Sequence, residues 1–144
     1  MIFLAASFIF LLDRLTKGLV LAKMAFGQSI EVLPGIFRLT LVANNGTAFG
    51  LFKNQNIALG IISAVIASLI IIYALRHKKK IGFAMSVSLG LILGGATGNL
   101  FDRIFYGHVI DFFDFRVWPV FNVADSAITA GTVILALYYV SHLN

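Results

Sequence analysis

Long apolar stretches alternate with short polar interruptions along this chain, and their lengths are those that a bilayer dictates. Ile57 to Leu75 and Ile81 to Phe101 contain no charged residue. Each has about the 20 residues that a helix needs to cross about 30 Å of hydrocarbon. Phe121 to Val140 follows the helix breaker Pro119 and is apolar apart from Asn122, Asp125 and a few hydroxyls. A further stretch runs from Met1 to about Ala22 and carries Asp13, Arg14 and Lys17 in its second half. These segments, 1–22, 57–75, 81–101 and 121–140, are predicted to be four transmembrane helices. The first does not read as a secretory signal peptide, because it lacks a basic leading region and a small-residue cleavage site and its apolar run is broken by charge.

Between the first two spans the pattern changes from helical to alternating. Ser29 to Leu33, the turn formers Pro34-Gly35, and Phe37, Leu39 and Leu41 set against Arg38 and Thr40 predict a hairpin, ended by the turn Asn44-Asn45-Gly46. The expectation is a mainly α membrane protein with a small β-sheet, built from the segment 23–56, resting on one membrane face. Gly90, Gly94 and Gly98 recur every four residues in the third span, a spacing that lets a neighbouring helix approach closely and is read as a packing seam. Phe105, Tyr106, Phe112, Phe113, Phe115 and Trp118 suit an interfacial aromatic belt. Neither an internal repeat nor a low-complexity tract is visible.

Composition agrees: 60% of the residues are hydrophobic and the mean hydropathy is +0.97, so residues 1–144 read as a single integral membrane domain. The formal charge of +5 could speak for a nucleic-acid partner, but four of the eleven basic residues lie in Arg76-His77-Lys78-Lys79-Lys80 between two spans. That arrangement is a topology signal and places this loop in the cytoplasm. Both termini are then cytoplasmic, and 23–56 and 102–120 face outward. At 1.5 Å per residue Asp13 lies roughly 18 Å along its helix, so Asp13, Lys17, Asp102, Asp111 and Asp125 are expected at one level. With no cysteine, neither a disulfide nor a thiolate metal site is available.

Asp111 and Asp125 are two of only six acidic residues, each among apolar neighbours. A carboxylate against hydrocarbon costs several kcal/mol unless it is paired or neutralised, so its presence points to function. Two brought together would share a proton. Asn122 and Asp125, three apart, share a face of one helical turn, as do Asn99, Asp102 and Arg103 at the outer end of the third span. Bland readings compete: Asp102 with Arg103 as a structural ion pair, Asp13 with Lys17 as an intrahelical one, and Asp125 as a carboxylate favoured by a helix dipole. Spacing does not choose between Asp111 and Asp114. His77, His108 and His142 are scattered without an H-E-x-x-H, and no G-x-S-x-G or phosphate loop occurs. Catalysis, if present, rests on carboxylates. A proton-coupled transporter or channel is the rival class, but it would carry its carboxylates near mid-bilayer, often on repeat-related broken helices. A non-catalytic membrane scaffold is the third reading.

Five motifs carry a resemblance: Asp13-Arg14-Leu15-Thr16-Lys17, Asn44-Asn45-Gly46-Thr47-Ala48-Phe49, Gly98-Asn99-Leu100-Phe101-Asp102-Arg103, Val109-Ile110-Asp111-Phe112 and Phe121-Asn122-Val123-Ala124-Asp125. In this order they closely resemble bacterial lipoprotein signal peptidase, or signal peptidase II, over nearly the whole chain. The resemblance implies a four-helix aspartyl endopeptidase of the bacterial cytoplasmic membrane, with a small extracytoplasmic sheet, that works as a monomer at the outer face. It would remove the signal peptide of prolipoproteins just before the diacylglyceryl-modified cysteine, with no metal or organic cofactor. It implies Asp111 and Asp125 as the catalytic pair, and it alone selects Asp111 over Asp114. Asn44, Gly46, Asn99, Arg103 and Asn122 would bind substrate or order the site, Asp13 and Lys17 would support it, and Asp102 would be structural. Arg14 stands where the family more often has Gln, and Thr47 where it usually has Ala.

Overall fold

The computed structural model describes residues 1–46, 56–77 and 81–141. Thr47, Ala48, Phe49, Lys78 to Lys80 and His142, named above, lie outside the described residues. The elements follow in the order α1 (Ile2–Lys23), β1 (Ser29–Leu33), β2 (Phe37–Asn44), α2 (Asn56–Arg76), α3 (Phe83–Phe105), β3 (Val109–Asp114) and α4 (Val123–Ser141).

Helices α2, α3 and α4 are each long and apolar enough to cross a membrane. Helix α1 is of similar length, with 22 residues, and turns its charges inward. Ile2, Ala6, Ile9, Asp13, Lys17 and Val20 form a buried stripe, while Leu4, Phe8, Leu11, Leu15 and Leu19 are exposed. Polar groups inside and apolar side chains outside is the arrangement expected where the solvent is lipid.

Helix α3 is central and packs against α1, α2 and α4. The glycine seam is real: a Cβ on Gly94 would lie 2.6 Å from the Ala6 carbonyl oxygen of α1, and one on Gly98 would lie 2.8 Å from Asp13 Oδ2. Only a bare backbone lets α1 come this close. The predicted end of the third span at Phe101 needs correction, because α3 continues to Phe105. Asp102 does not force the chain out of the helix, since Arg14 and Lys17 of α1 neutralise it.

The predicted hairpin is present, with Ser29 opposite Thr40 and Glu31 opposite Arg38. A third strand was not foreseen. β3, read from sequence as a connecting segment, pairs antiparallel with β2, placing Asn44 opposite Val109, Val42 opposite Asp111 and Arg38 opposite Asp114. Nearly every residue of β3 is buried, so the alternation that marks a half-exposed strand is absent from its sequence. Leu41, Ile110 and Phe112 join Val20 of α1 and Met24, just past its end, in one core cluster, which fixes the sheet to the helices. Phe112 therefore belongs to the core rather than to the aromatic belt, at 2% exposure. Phe113 is half-buried and packs on Phe121. Phe105, Tyr106, Phe115 and Trp118 are exposed, as a belt requires.

Candidate active site

Strand β3 brings Asp111 to the first turn of α4, where Asp125 sits. Asp111 is 1% exposed, and each of its oxygens accepts an amide proton: Asn44 Nδ2 donates to Oδ2 at 2.8 Å, and Asn122 Nδ2 to Oδ1 at 2.7 Å. Asn44 is aimed by its own turn, since the Gly46 N–H donates to Asn44 Oδ1 at 2.9 Å. Asn122 also serves Asp125. The Asp125 N–H donates to Asn122 Oδ1 at 2.9 Å, and the Asn122 N–H donates to Asp125 Oδ2 at 3.2 Å. This reciprocal pair is a capping box in which Asn and Asp take the usual Ser/Thr and Glu/Gln positions. Asp125 does sit at a helix N-terminus, as its sequence position suggested, and its charge also reaches Asp111.

Asn99 on α3 completes the bridge. Its Nδ2 donates to Asp125 Oδ1 at 2.7 Å, while its Oδ1 accepts from Lys17 Nζ at 3.2 Å and from Asn122 Nδ2 at 3.1 Å. The Lys17 cation therefore fixes which end of the Asn99 amide faces Asp125. Lys17 also pairs with Asp13 Oδ2 at 2.9 Å and with Asp102 Oδ2 at 2.6 Å, all three side chains being at most 1% exposed. The intrahelical Asp13–Lys17 pair thus exists but is one edge of a larger cluster. The Asp102–Arg103 pair considered from sequence needs correction: Asp102 turns to Arg14, at 2.6 Å, and to Lys17. These partners come from α1, far away in sequence, and no local spacing could name them.

Arg103 reaches back to the Asn99 carbonyl oxygen at 3.4 Å and feels the charges of Asp125 and Asp111. With Asn44, Gly46, Asn99 and Asp125 it lines a cavity of about 690 Å³ whose remaining wall is largely apolar, including Phe115, Trp118 and Ile128. Every residue expected at the site is in this assembly, although Asp111 and Asn122 are buried beside Asn44 rather than on the cavity wall. Asp114 is elsewhere: its Oδ2 accepts from Arg38 Nε at 2.6 Å and Thr40 Oγ1 at 2.7 Å, on the sheet. Arg14 and Arg38 were given no role from sequence, and both prove to be ion-pair partners of buried carboxylates.

Burial, joined by the charge of Asp125, pushes the Asp111 carboxyl up to about 7, against the opposing hydrogen bond from Asn44, the charge of Lys17 and the hydrogen bond from Asn122. Two carboxyl groups that share one proton can both take a proton from water and give one to an oxyanion. Among the described residues no group of three or more His, Cys, Asp or Glu side chains is arranged to hold a metal ion.

Comparison with known proteins identifies the family. The family described as Signal peptidase (SPase) II matches residues 5–141. A lipoprotein signal peptidase of Halothermothrix orenii is 41% identical, over 96% of this chain and 94% of its own. That of Burkholderia thailandensis is 48% identical, over 88% and 80%. A bacterial membrane enzyme solved by the in meso method at 2.3 Å superimposes with a TM-score of 0.89 and 30% identity, covering 98% of this chain and 88% of that one. Sequence match along nearly the full length and the same four-helix fold together show that the chain belongs to the signal peptidase II family.

Proposed function

We propose that Asp111 and Asp125 are the catalytic pair of an endopeptidase that removes the signal peptide of prolipoproteins just before the diacylglyceryl-modified cysteine. The observation that carries this reading is the shared Asn122, whose side-chain amide donates to Asp111 while its backbone N–H donates to Asp125. One residue thereby sets the two carboxyl groups relative to each other.

The roles divide by environment. Asp111, buried and raised toward neutrality, holds the proton and donates it to the oxyanion that forms at the scissile carbonyl. Asp125 lines the cavity, the side from which water and substrate come, and acts in its ionised form. It draws a proton from the attacking water and later delivers it to the leaving amine. Asn44 covers Asp111, so the substrate carbonyl reaches the acid by taking over that amide's hydrogen bond. Asn99, Asn122 and Gly46 hold the pair and its cover in place, while Arg103 offers positive charge on the cavity wall.

A substrate whose signal helix and acyl chains are already in lipid fits a cavity with an apolar wall beside membrane-spanning helices. In this reading the protein works as a monomer in the bacterial cytoplasmic membrane. Both termini and the basic loop are cytoplasmic, and the sheet and carboxyl pair are at the outer surface.

The deciding experiment is single-turnover cleavage of a lipid-modified prolipoprotein by purified, folded variants. Asp111→Asn and Asp125→Asn should each slow cleavage by about a thousandfold or more, and the double variant should be little worse than either, because both serve one step. Near-normal cleavage by either single variant would sink the mechanism.

A further inference from the structure

Behind the carboxyl pair lies a second, closed group of charges. Asp13, Lys17 and Asp102 are essentially without solvent, and Arg14 is 18% exposed. The four alternate in sign around a ring: Arg14 Nη1 to Asp102 Oδ1 at 2.6 Å, Asp102 Oδ2 to Lys17 Nζ at 2.6 Å, Lys17 Nζ to Asp13 Oδ2 at 2.9 Å, and Asp13 Oδ2 to Arg14 Nη2 at 2.6 Å. Two cations and two carboxylates leave the ring neutral. Arg14 is held there by Phe101, whose ring centroid lies 4.7 Å from Cζ, and by the Gly98 carbonyl oxygen at 3.3 Å.

The ring touches α3, α4 and β3. Asp102 Oδ2 accepts the Ile110 N–H at 3.2 Å, next to Asp111 in β3, and Asp13 Oδ1 accepts the Ala124 N–H at 3.1 Å, next to Asp125 in α4. Lys17 has three ammonium protons. Two go to the ring carboxylates and the third to Asn99 Oδ1, which turns the Asn99 amino group toward Asp125 Oδ1. Without Arg14 a single ammonium would have to satisfy two buried carboxylates, and the ring would carry an uncompensated negative charge.

We propose that Arg14 is a positioning residue for the carboxyl pair: by supplying the ring's second positive charge it keeps Lys17 centred between Asp13, Asp102 and Asn99 and keeps the charge behind Asp111 and Asp125 balanced. This rests on the assignment of Asp111 and Asp125 as the catalytic pair. Other charges face the pair too, and all stay in place in the test below except where a variant names them. They are Lys17 and Asp13 from α1 and Arg103 from α3, with Asp102 joined to them through Lys17, while β2 and the residue before α4 present the neutral Asn44 and Asn122.

The test is the pH profile of kcat and KM for lipid-modified prolipoprotein in detergent micelles, with thermal unfolding recorded on the same samples. Arg14→Gln removes a positive charge, which makes both carboxyl groups harder to ionise. Its profile should move to higher pH by on the order of half a unit or more. Its kcat should fall about tenfold with KM within about twofold, since the loss is in the reacting geometry and not in substrate contact. Arg14→Lys should recover most of both. Asp102→Asn alters the balance the other way and should move the profile to lower pH, and Arg14→Gln with Asp102→Asn should bring it back. If Arg14→Gln does not fold, these two Asp102 variants still decide the matter. A folded Arg14→Gln protein with unchanged profile and kcat, or Asp102 variants without opposite and compensating shifts, would overturn the proposal. Asp111→Asn in the same assay separates the two readings. Its inactivity together with a flat Arg14 series refutes the role of Arg14 alone, whereas its retained turnover refutes the catalytic pair.

Discussion

Asn122 and Asp125 each cap the other, Asn122 Oδ1 taking the Asp125 N–H and Asp125 Oδ2 the Asn122 N–H. Asp125 is therefore structural and, in the proposed mechanism, chemical at once, and the two roles come apart on substitution. Asp125→Asn keeps an oxygen that can accept the Asn122 N–H but cannot act as a base. It should unfold close to the wild-type temperature while being inactive. Asp125→Ala should be inactive and also less stable by about 1 kcal/mol, the usual cost of losing a helix cap. Thermal unfolding of both variants checks this, and equal stability of Asn and Ala would show that the cap contributes nothing.

Asp114, three residues from Asp111, is expected to be dispensable for cleavage. Burial pushes its carboxyl up, but the hydrogen bonds from Thr40, Arg38 and the Arg116 N–H outweigh this and hold it below the usual carboxylate range. A lowered value means stability that is present above the ordinary carboxylate range and lost as pH falls through the lowered one. Asp114→Asn should leave turnover largely intact at neutral pH and cost roughly 1 kcal/mol of stability there, because Arg38 is partly solvated. The stability gap to wild type should close in acid. Loss of turnover in folded Asp114→Asn would require the pair to be redrawn.

How much of this was legible in the sequence depends on range. Helices α2 and α4 could be placed to within two residues from apolar length alone, because hydrocarbon thickness fixes that length. The hairpin was visible because one turn and one alternation lie within a few residues of each other. Strand β3 was not, since Val109 to Asp114 is buried and its pairing with β2 crosses the whole of α2 and α3. The ring of Arg14, Asp102, Lys17 and Asp13 was half visible, as an i, i+4 pair in α1, while its closure needed Asp102 from α3, which local spacing could not join to Arg14. Asp111 and Asp114 have the same residue type and similar neighbours, so only resemblance separated them. In the fold one meets Asn44 and Asn122 and the other Arg38 and Thr40.

The proposed topology rests on Arg76, Lys78, Lys79 and Lys80 between two spans, since basic residues in short loops tend to stay in the cytoplasm. A single cysteine placed at Lys79 in this cysteine-free chain should resist an impermeant thiol reagent added to intact cells. One at Arg116, beside Glu31 on the sheet, should react. The opposite pattern would invert the protein in the membrane and put the carboxyl pair on the cytoplasmic side.

Asp111 gives the sharpest dependence on pH. Its carboxyl is raised to about 7 first by burial and then by the charge of Asp125. The neutral form is favoured in the fold, so this contribution to stability is fully present below the ordinary carboxylate range and disappears as pH rises through about 7. The proton lost there is also the one that the proposed mechanism gives to the oxyanion, so cleavage should decline as pH rises past the same value, approaching tenfold per unit. Asp111→Asn has no such proton to lose. It should be inactive throughout, yet its unfolding temperature relative to wild type should rise between about pH 4 and about pH 7 and level off above, because in that range the unfolded wild type ionises this carboxyl while the fold holds it neutral. Cleavage rates and thermal unfolding across this range and above it test both halves together. A stability difference that stays constant with pH would mean that Asp111 is already ionised at neutrality, and the assignment of acid and base between the two carboxyl groups would have to be reversed.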